Sequence, residues 1–279
     1  VGGLLTFTGG TLNIQDTFSI KSLEDWFDGN LDFDGNVEVG HDMMENFDIR
    51  AGGNITLRGC SDSTNLRAGG DITVAEGIIG QEDVVVEAGG SIKARYINQA
   101  QVVCNGDCEL NRGIFHSKVL CYGRIIMPAG VIVGGVVYAA EGMEAREVGG
   151  VSEVKTVVMA GLNKGAPLSP DSIQVQLKNI DDEVARIGML VKPLLQSGQG
   201  QTEEVRKYIE ELQQLKKLQQ ELFDWTDSHD EEDCLNAMVV VRSTIHLGST
   251  VIINNSRMDV MQTMTRVIFR YSPEKMEVV

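Results

Sequence analysis

From Leu31 to Leu162 the apolar residues recur in one short pattern. An apolar residue is followed two later by a small one, then by apolar residues four and six positions beyond the small one. Ile49, Ala51, Ile55 and Leu57 set the pattern out. Leu66, Ala68, Ile72 and Val74 repeat it, as do Val86, Ala88, Ile92 and Ala94. It runs on through Val102, Cys104, Cys108 and Leu110, then Val119, Cys121, Ile125 and Met127, then Val137, Ala139, Met143 and Ala145. The last copy reads Val154, Thr156, Ala160 and Leu162. Successive small residues from Ala51 onward are 17, 20, 16, 17, 18 and 17 positions apart. Residues two apart share a face of an extended chain, so each unit predicts two short strands. A Gly two positions after the small residue (Gly35, Gly53, Gly70, Gly90, Gly106 and Gly123) supplies the bend between them.

A recurring unit too short to bury its own apolar face must stack on its neighbours. Coils stacked about 4.8 Å apart pair strand on strand and align like residues in columns. The small column then contains Phe33, Ala51, Ala68, Ala88, Cys104, Cys121, Ala139 and Thr156. The chain is thus predicted to be mostly β, a parallel β-helix or solenoid. The unequal steps favour the right-handed kind, because a left-handed hexapeptide helix would show a period of six.

The flanks read differently. In residues 1–30, Thr6, Thr8, Gly9, Gly10, Leu12 and Ile14 match the template as a weaker copy, and an excursion carrying Trp26 and Phe27 is expected to cap the exposed end. After Leu162 the period changes. Ser169-Pro170-Asp171 is a helix start. Ile173, Leu177, Ile180, Val184, Ile187 and Val191 form a heptad seam, and Val205, Tyr208, Leu212, Leu215, Gln219 and Leu222 form a second. Joined by a Gly/Pro loop, the two predict an antiparallel α-helical coiled-coil hairpin inserted into the solenoid. Val239, Val241, Ile245 and Leu247 then return to the solenoid template, followed by Val251 and Ile253, and Val267 and Phe269 supply a closing strand. The expected organisation is a capping segment with a first coil (1–30), a β-helix (31–165), a hairpin insertion with an acidic connector (166–233), and a final coil with its closing strand (234–279).

Composition narrows the function. Thirty-one Gly and only 5% aromatics suit a narrow core with many bends. A net charge of -16 argues against nucleic acid and anionic membrane as partners. No apolar run is long enough to span a bilayer, and no signal peptide opens the chain. Its first residue is Val, as expected of a piece of a longer protein. Five Cys without a framework suit a reducing cytoplasm. Cys104 and Cys108 have metal-pair spacing with Cys121 one coil later, but all three fall on inward columns and read as small core hydrophobes. The acidic run Asp224–Asp233, with His229 inside it, reads as a solvated connector rather than a metal site. No metal or other cofactor is expected.

His116-Ser117-Lys118 lacks a carboxylate orienter, and Asp34, Asp71 and Asp107 lie near the bends without grouping as a polysaccharide lyase requires. No catalytic set is expected. Arg58, Arg95 and Arg146 each follow a small residue by seven and stand on one face as candidate partner-binding residues, with Tyr208 and Trp225 from the second helix and the connector. The competing reading makes the arginines solvated charges that keep sheet surfaces apart.

The stretches Ala94-Arg95-Tyr96-Ile97-Asn98-Gln99-Ala100, His116-Ser117, Val133-Gly134-Gly135 and Ala145-Arg146-Glu147-Val148-Gly149, followed by a heptad hairpin and a returning strand, resemble the flagellar assembly protein A family. The resemblance runs from about Phe33 to the C-terminus, and the family's separate N-terminal domain is not recognisable in this chain. The resemblance implies a bacterial, cytoplasmic, non-enzymatic scaffold linked to flagellar assembly or placement, with a cell pole as one address. It would act through soluble protein partners, without an integral membrane segment, and a homo-oligomer stays open. The alternatives are a bactofilin-like self-assembling stack and, less favoured, a carbohydrate-active enzyme.

Overall fold

The computed structural model describes residues 4–8, 11–21, 30–44, 47–81, 84–161, 180, 183–191, 205–209, 212–213, 215–216, 234–272 and 275–279. The chain divides into two compact units, Val1–Gly161 with Asp233–Val279, and Leu162–Glu232.

The first unit is a parallel β-solenoid of about seven turns. On its first face the strands Asp48–Ala51, Asn65–Ala68, Val85–Ala88 and Gln101–Cys104 stack in parallel, and Ala51, Ala68, Ala88, Cys104, Cys121 and Ala139 meet in register. The second face carries the column Val37, Ile55, Ile72, Ile92, Cys108, Ile125 and Met143. Ile55, Ile72, Ile92, Cys108 and Ile125 are wholly buried. Alternation puts every second residue inside, and stacking places each on its like, so one hydrophobic column serves all turns. Burying each such Ile contributes roughly 1.5–3 kcal/mol.

A third face appears that the period did not mark. Ser61, Ile78, Ile97, Ile114, Ile132 and Val148 stack in parallel there, and Ile78, Ile97, Ile114 and Ile132 are fully buried. Each coil therefore has three strands rather than two. The third-face residues follow their small-column residues by 10 (Ala68 to Ile78), 9 (Ala88 to Ile97), 10 (Cys104 to Ile114), 11 (Cys121 to Ile132) and 9 (Ala139 to Val148). That drifting offset hid them.

Two column assignments are corrected by the register. Ala139 pairs with Ala160, not Thr156, and Thr156 pairs with Gly135. The segment 149–155 adds residues between the third and first faces, so this step is 21 positions rather than 17. On the return, Val239 pairs with Met143 and Val241 with Ala145, so both belong to the second face, while Val251 and Ile253 continue the first through Val158 and Ala160. The weaker N-terminal copy is also overturned. Leu4–Thr8 and Thr11–Gln15 form an antiparallel hairpin, a sheet of their own, and stacking begins only with Thr17–Ile20, which pairs in parallel with Asn36–Val39.

The C-terminal edge is covered. Met264–Ser272 pairs antiparallel with Met238–Ile245, placing buried Phe269 opposite Val239, and Ser256–Asp259 pairs antiparallel with Ser249–Ile253. At the other end, the excursion with Trp26 and Phe27 lies outside the described residues.

In the second unit, residues 183–191 and 205–209 are helical, and Ile187, Val191 and Val205 are buried together with Tyr208, Leu212 and Leu215 packed against them. These are residues of both heptad seams. The loop between them and the acidic connector lie outside the described residues.

Candidate functional site

The corners of the solenoid separate structural side chains from available ones. At the corner between the first and second faces, the five coils from Asn36 to Asp107 each present a polar side chain three positions after the small residue. Its oxygen accepts a hydrogen bond from the next coil's backbone N–H. Asn54 N donates to Asn36 Oδ1 (2.8 Å), Asp71 N to Asn54 Oδ1 (2.8 Å) and Ser91 N to Asp71 Oδ1 (2.7 Å). Asp107 N then donates to Ser91 Oγ (3.1 Å) and Arg124 N to Asp107 Oδ1 (2.8 Å). Asp71 and Asp107 are thus occupied in holding coils together.

Ser117 is likewise structural. Its buried hydroxyl donates to Phe115 O (2.6 Å) and accepts from Ala100 N (3.2 Å). Thr156 does the same at this corner two coils on, donating to Val154 O (2.8 Å) and accepting from Gly134 N (2.9 Å). The thiols of Cys104, Cys108 and Cys121 are buried and unoxidised. Hydrogen bonding to the other two thiols, reinforced by burial, pushes the Cys104 thiol far above its usual range, so it stays protonated. Among the described residues no group of three His, Cys, Asp or Glu side chains is placed to hold a metal ion.

The three arginines singled out by spacing share one column at the corner between the second and third faces, but intervening coils part them. Arg58 pairs with Glu38 (2.5 Å) and Arg95 with Glu76 (2.5 Å), each one coil back, while Arg146 pairs with its neighbour Glu147 (3.4 Å). Similar pairs join Arg67 to Glu87, Lys93 to Glu109 and Arg242 to Glu144. Exposed pairs of this kind contribute about 0–1 kcal/mol each. Tyr208 is half-buried in the helical unit against Ile187, Val191 and Val205. Trp225 lies outside the described residues.

Of the three arginines, only Arg146 borders a groove of about 650 Å³ on the third face. The groove arises from two features. First, the corner between second and third faces lengthens from coil to coil. One residue (Arg95) separates Ala94 from Tyr96, but two (Asn111, Arg112) separate Leu110 from Gly113 and three (128–130) separate Met127 from Val131. At the next coil it contracts again to Arg146 alone. These register shifts are bulges, which re-aim side chains out of the ladder. Second, Gly113 stands in register between Tyr96 and Val131 and puts no side chain onto the face, its ideal Cβ position being taken up by the Val131 backbone (2.2 Å from Val131 O).

The Tyr96 ring folds the other way, over Gly77, where a Cβ would lie 2.2 Å from Tyr96 Cζ. Burial, then the contact with Cys60 (Sγ to Oη 3.8 Å), raises the Tyr96 phenol above its usual value, so it remains a neutral group, with the nearby Arg112 acting in the opposite sense. Phe115 and Asn98 complete the floor, and His116 stands at the far corner with a left-handed backbone (φ 47°). Gly134 permits this, since a Cβ there would meet His116 Nδ1 at 2.5 Å. The lining has no carboxylate. Arg112 has no ion pair among the described residues. Spacing missed Arg112, Asn111 and Phe115, because bulge residues have no fixed offset from the small column. The changing offset of the third-face isoleucines was the available signal.

A stacked three-faced core with hydrogen-bonded corners and antiparallel closing strands defines a β-solenoid protein. The chain belongs to the FapA family: the Flagellar Assembly Protein A beta solenoid domain matches residues 25–277. No curated protein and no solved structure shows significant similarity to it. No helix among the described residues is long and apolar enough to cross a membrane.

Proposed function

We propose that the protein is a non-enzymatic scaffold of flagellar assembly that holds a soluble protein partner in the third-face groove. One observation carries this reading. The stretches by which the sequence resembles the family are far apart in the chain, yet Tyr96, Asn98, His116 and Arg146 from three of them line one groove. The family's role in flagellar assembly supports the setting, and five cysteines outside any disulfide suit the cytoplasm, with a cell pole as the address. Right-handed winding belongs to the same reading, as does the pairing of the 162–232 segment into an antiparallel α-hairpin that offers Tyr208 and Trp225 as a second contact. Arg58 and Arg95 serve as pair partners along the corner rather than as contacts.

The alternatives are weaker. End-to-end polymerisation is opposed by the antiparallel strands over the C-terminal edge. Polysaccharide cleavage is opposed by the engagement of Asp71 and Asp107 with backbone N–H groups.

The test is affinity capture from a flagellated bacterium with the full chain and with Ala129→Trp, which fills the groove from an exposed bulge position. A flagellar or motility protein retained by the wild type and lost from the variant is the expected result. Equal recovery by both removes the groove from the mechanism.

A further inference from the structure

We infer that the groove selects an acidic, extended peptide segment of its protein partner, with a carboxylate received by Arg112 and an apolar side chain seated between Tyr96 and Phe115. This rests on the scaffold reading above. Charge complementarity argues for it. The chain carries 40 acidic and 24 basic residues, so a surface depression without a carboxylate runs against its composition. Several other outward arginines of the solenoid find carboxylates on neighbouring coils: Arg58 on Glu38, Arg95 on Glu76, Arg124 on Glu141. Arg112 does not among the described residues, for a reason visible in the register. The bulge sets it beside the longer corner Pro128, Ala129 and Gly130 on the next coil, which offers no charge.

An unpaired guanidinium keeps its fork of donors for a carboxylate from outside. Arg146, which shares its charge with Glu147, and the imidazole of His116 add donors at the rim. The amides of Asn98 and Asn111 can meet peptide groups of an extended chain, and the aromatic floor can take the alternate side chains on its other face.

The experiment uses the full chain and short fluorescein-labelled peptides of alternating Glu and Leu, Gln and Leu, or Lys and Leu, followed by fluorescence anisotropy. The Glu/Leu peptide is expected to bind best, with the Gln/Leu peptide weaker by roughly tenfold or more. Arg112→Gln is expected to erase that difference, Arg112→Lys to restore part of it, and added salt to weaken Glu/Leu binding. Far-UV circular dichroism checks that each variant is folded. Equal binding of the Glu and Gln peptides, or an Arg112→Gln protein with wild-type preference, overturns the inference. Displacement of the peptide by trigalacturonate at similar concentration also overturns it, in favour of an acidic-sugar site. The two readings separate cleanly. If Ala129→Trp abolishes partner capture while Arg112→Gln does not, the groove stands and the acidic class falls. If neither variant affects capture, the groove itself falls.

Discussion

A single side-chain oxygen explains the glycine two positions beyond the small residues from Ala51 to Cys121. In the coil containing Gly70 a Cβ would lie 2.1 Å from Asn54 Oδ1, and at Gly90 it would lie 2.2 Å from Asp71 Oδ1. These are the oxygens that accept the next coil's N–H. Glycine is therefore needed as the space left for the hydrogen-bond column, since Gly70 does not occupy a left-handed conformation. Its next neighbour, Asn54 Cγ at 3.2 Å, belongs to the same side chain, and the nearest backbone atom is Gly53 C at 3.4 Å. Gly70→Ala must push Asn54 aside and is expected to cost about 1–3 kcal/mol, as is Asn54→Ala, which orphans Asp71 N. Because both changes remove the same interaction, the double variant should be markedly less destabilised than their sum. Urea midpoints of the four proteins decide it; strict additivity would mean that the clash and the hydrogen bond are unrelated.

At the scale of strands, the parallel stack carries an inherent hazard: its last coil presents a row of free backbone groups. Here Met264–Ser272 turns antiparallel and covers Met238–Ile245. A chain ending at residue 262 would expose that row together with Val239 and Val241, both buried in the intact protein. Concentration-dependent assemblies are the expected result in light scattering, and a truncated chain that stays monodisperse would deny the closing strand this role. Most of the stacked strands were legible, because Ile55, Ile72 and Ile92 keep a fixed distance from Ala51, Ala68 and Ala88. The third strand of each coil was not, since a bulge changes the offset without changing the residue type. The groove shared that fate. Arg146 was readable from its spacing, whereas Arg112 and Asn111 are positioned by a register shift that exists only between two coils.

For the molecule as a whole, the insertion of 162–232 interrupts the solenoid without parting it. Gly161 lies against Cys234, with its ideal Cβ position 2.8 Å from Cys234 O, and Asn254 Nδ2 donates to Leu235 O (2.8 Å) beside it. The chain leaves and re-enters at one corner, between the Ala160 end of the first face and Met238 on the second. Replacing 162–232 by a short Gly-Asn linker is expected to leave the β circular-dichroism signal and a single cooperative melt intact. A variant that melts in two steps, or loses the β signal, would show that the solenoid depends on its insertion.

The sequence by itself determined the stacked β architecture, the inward columns and the site of the interruption, because a two-residue alternation and a coil-length repeat are properties of one chain read in order. Tertiary structure alone decided the third face, the antiparallel start and finish, and the groove. Each of these depends on which coil a residue meets, and a one-residue change of register redirects a side chain without leaving any mark on the local pattern.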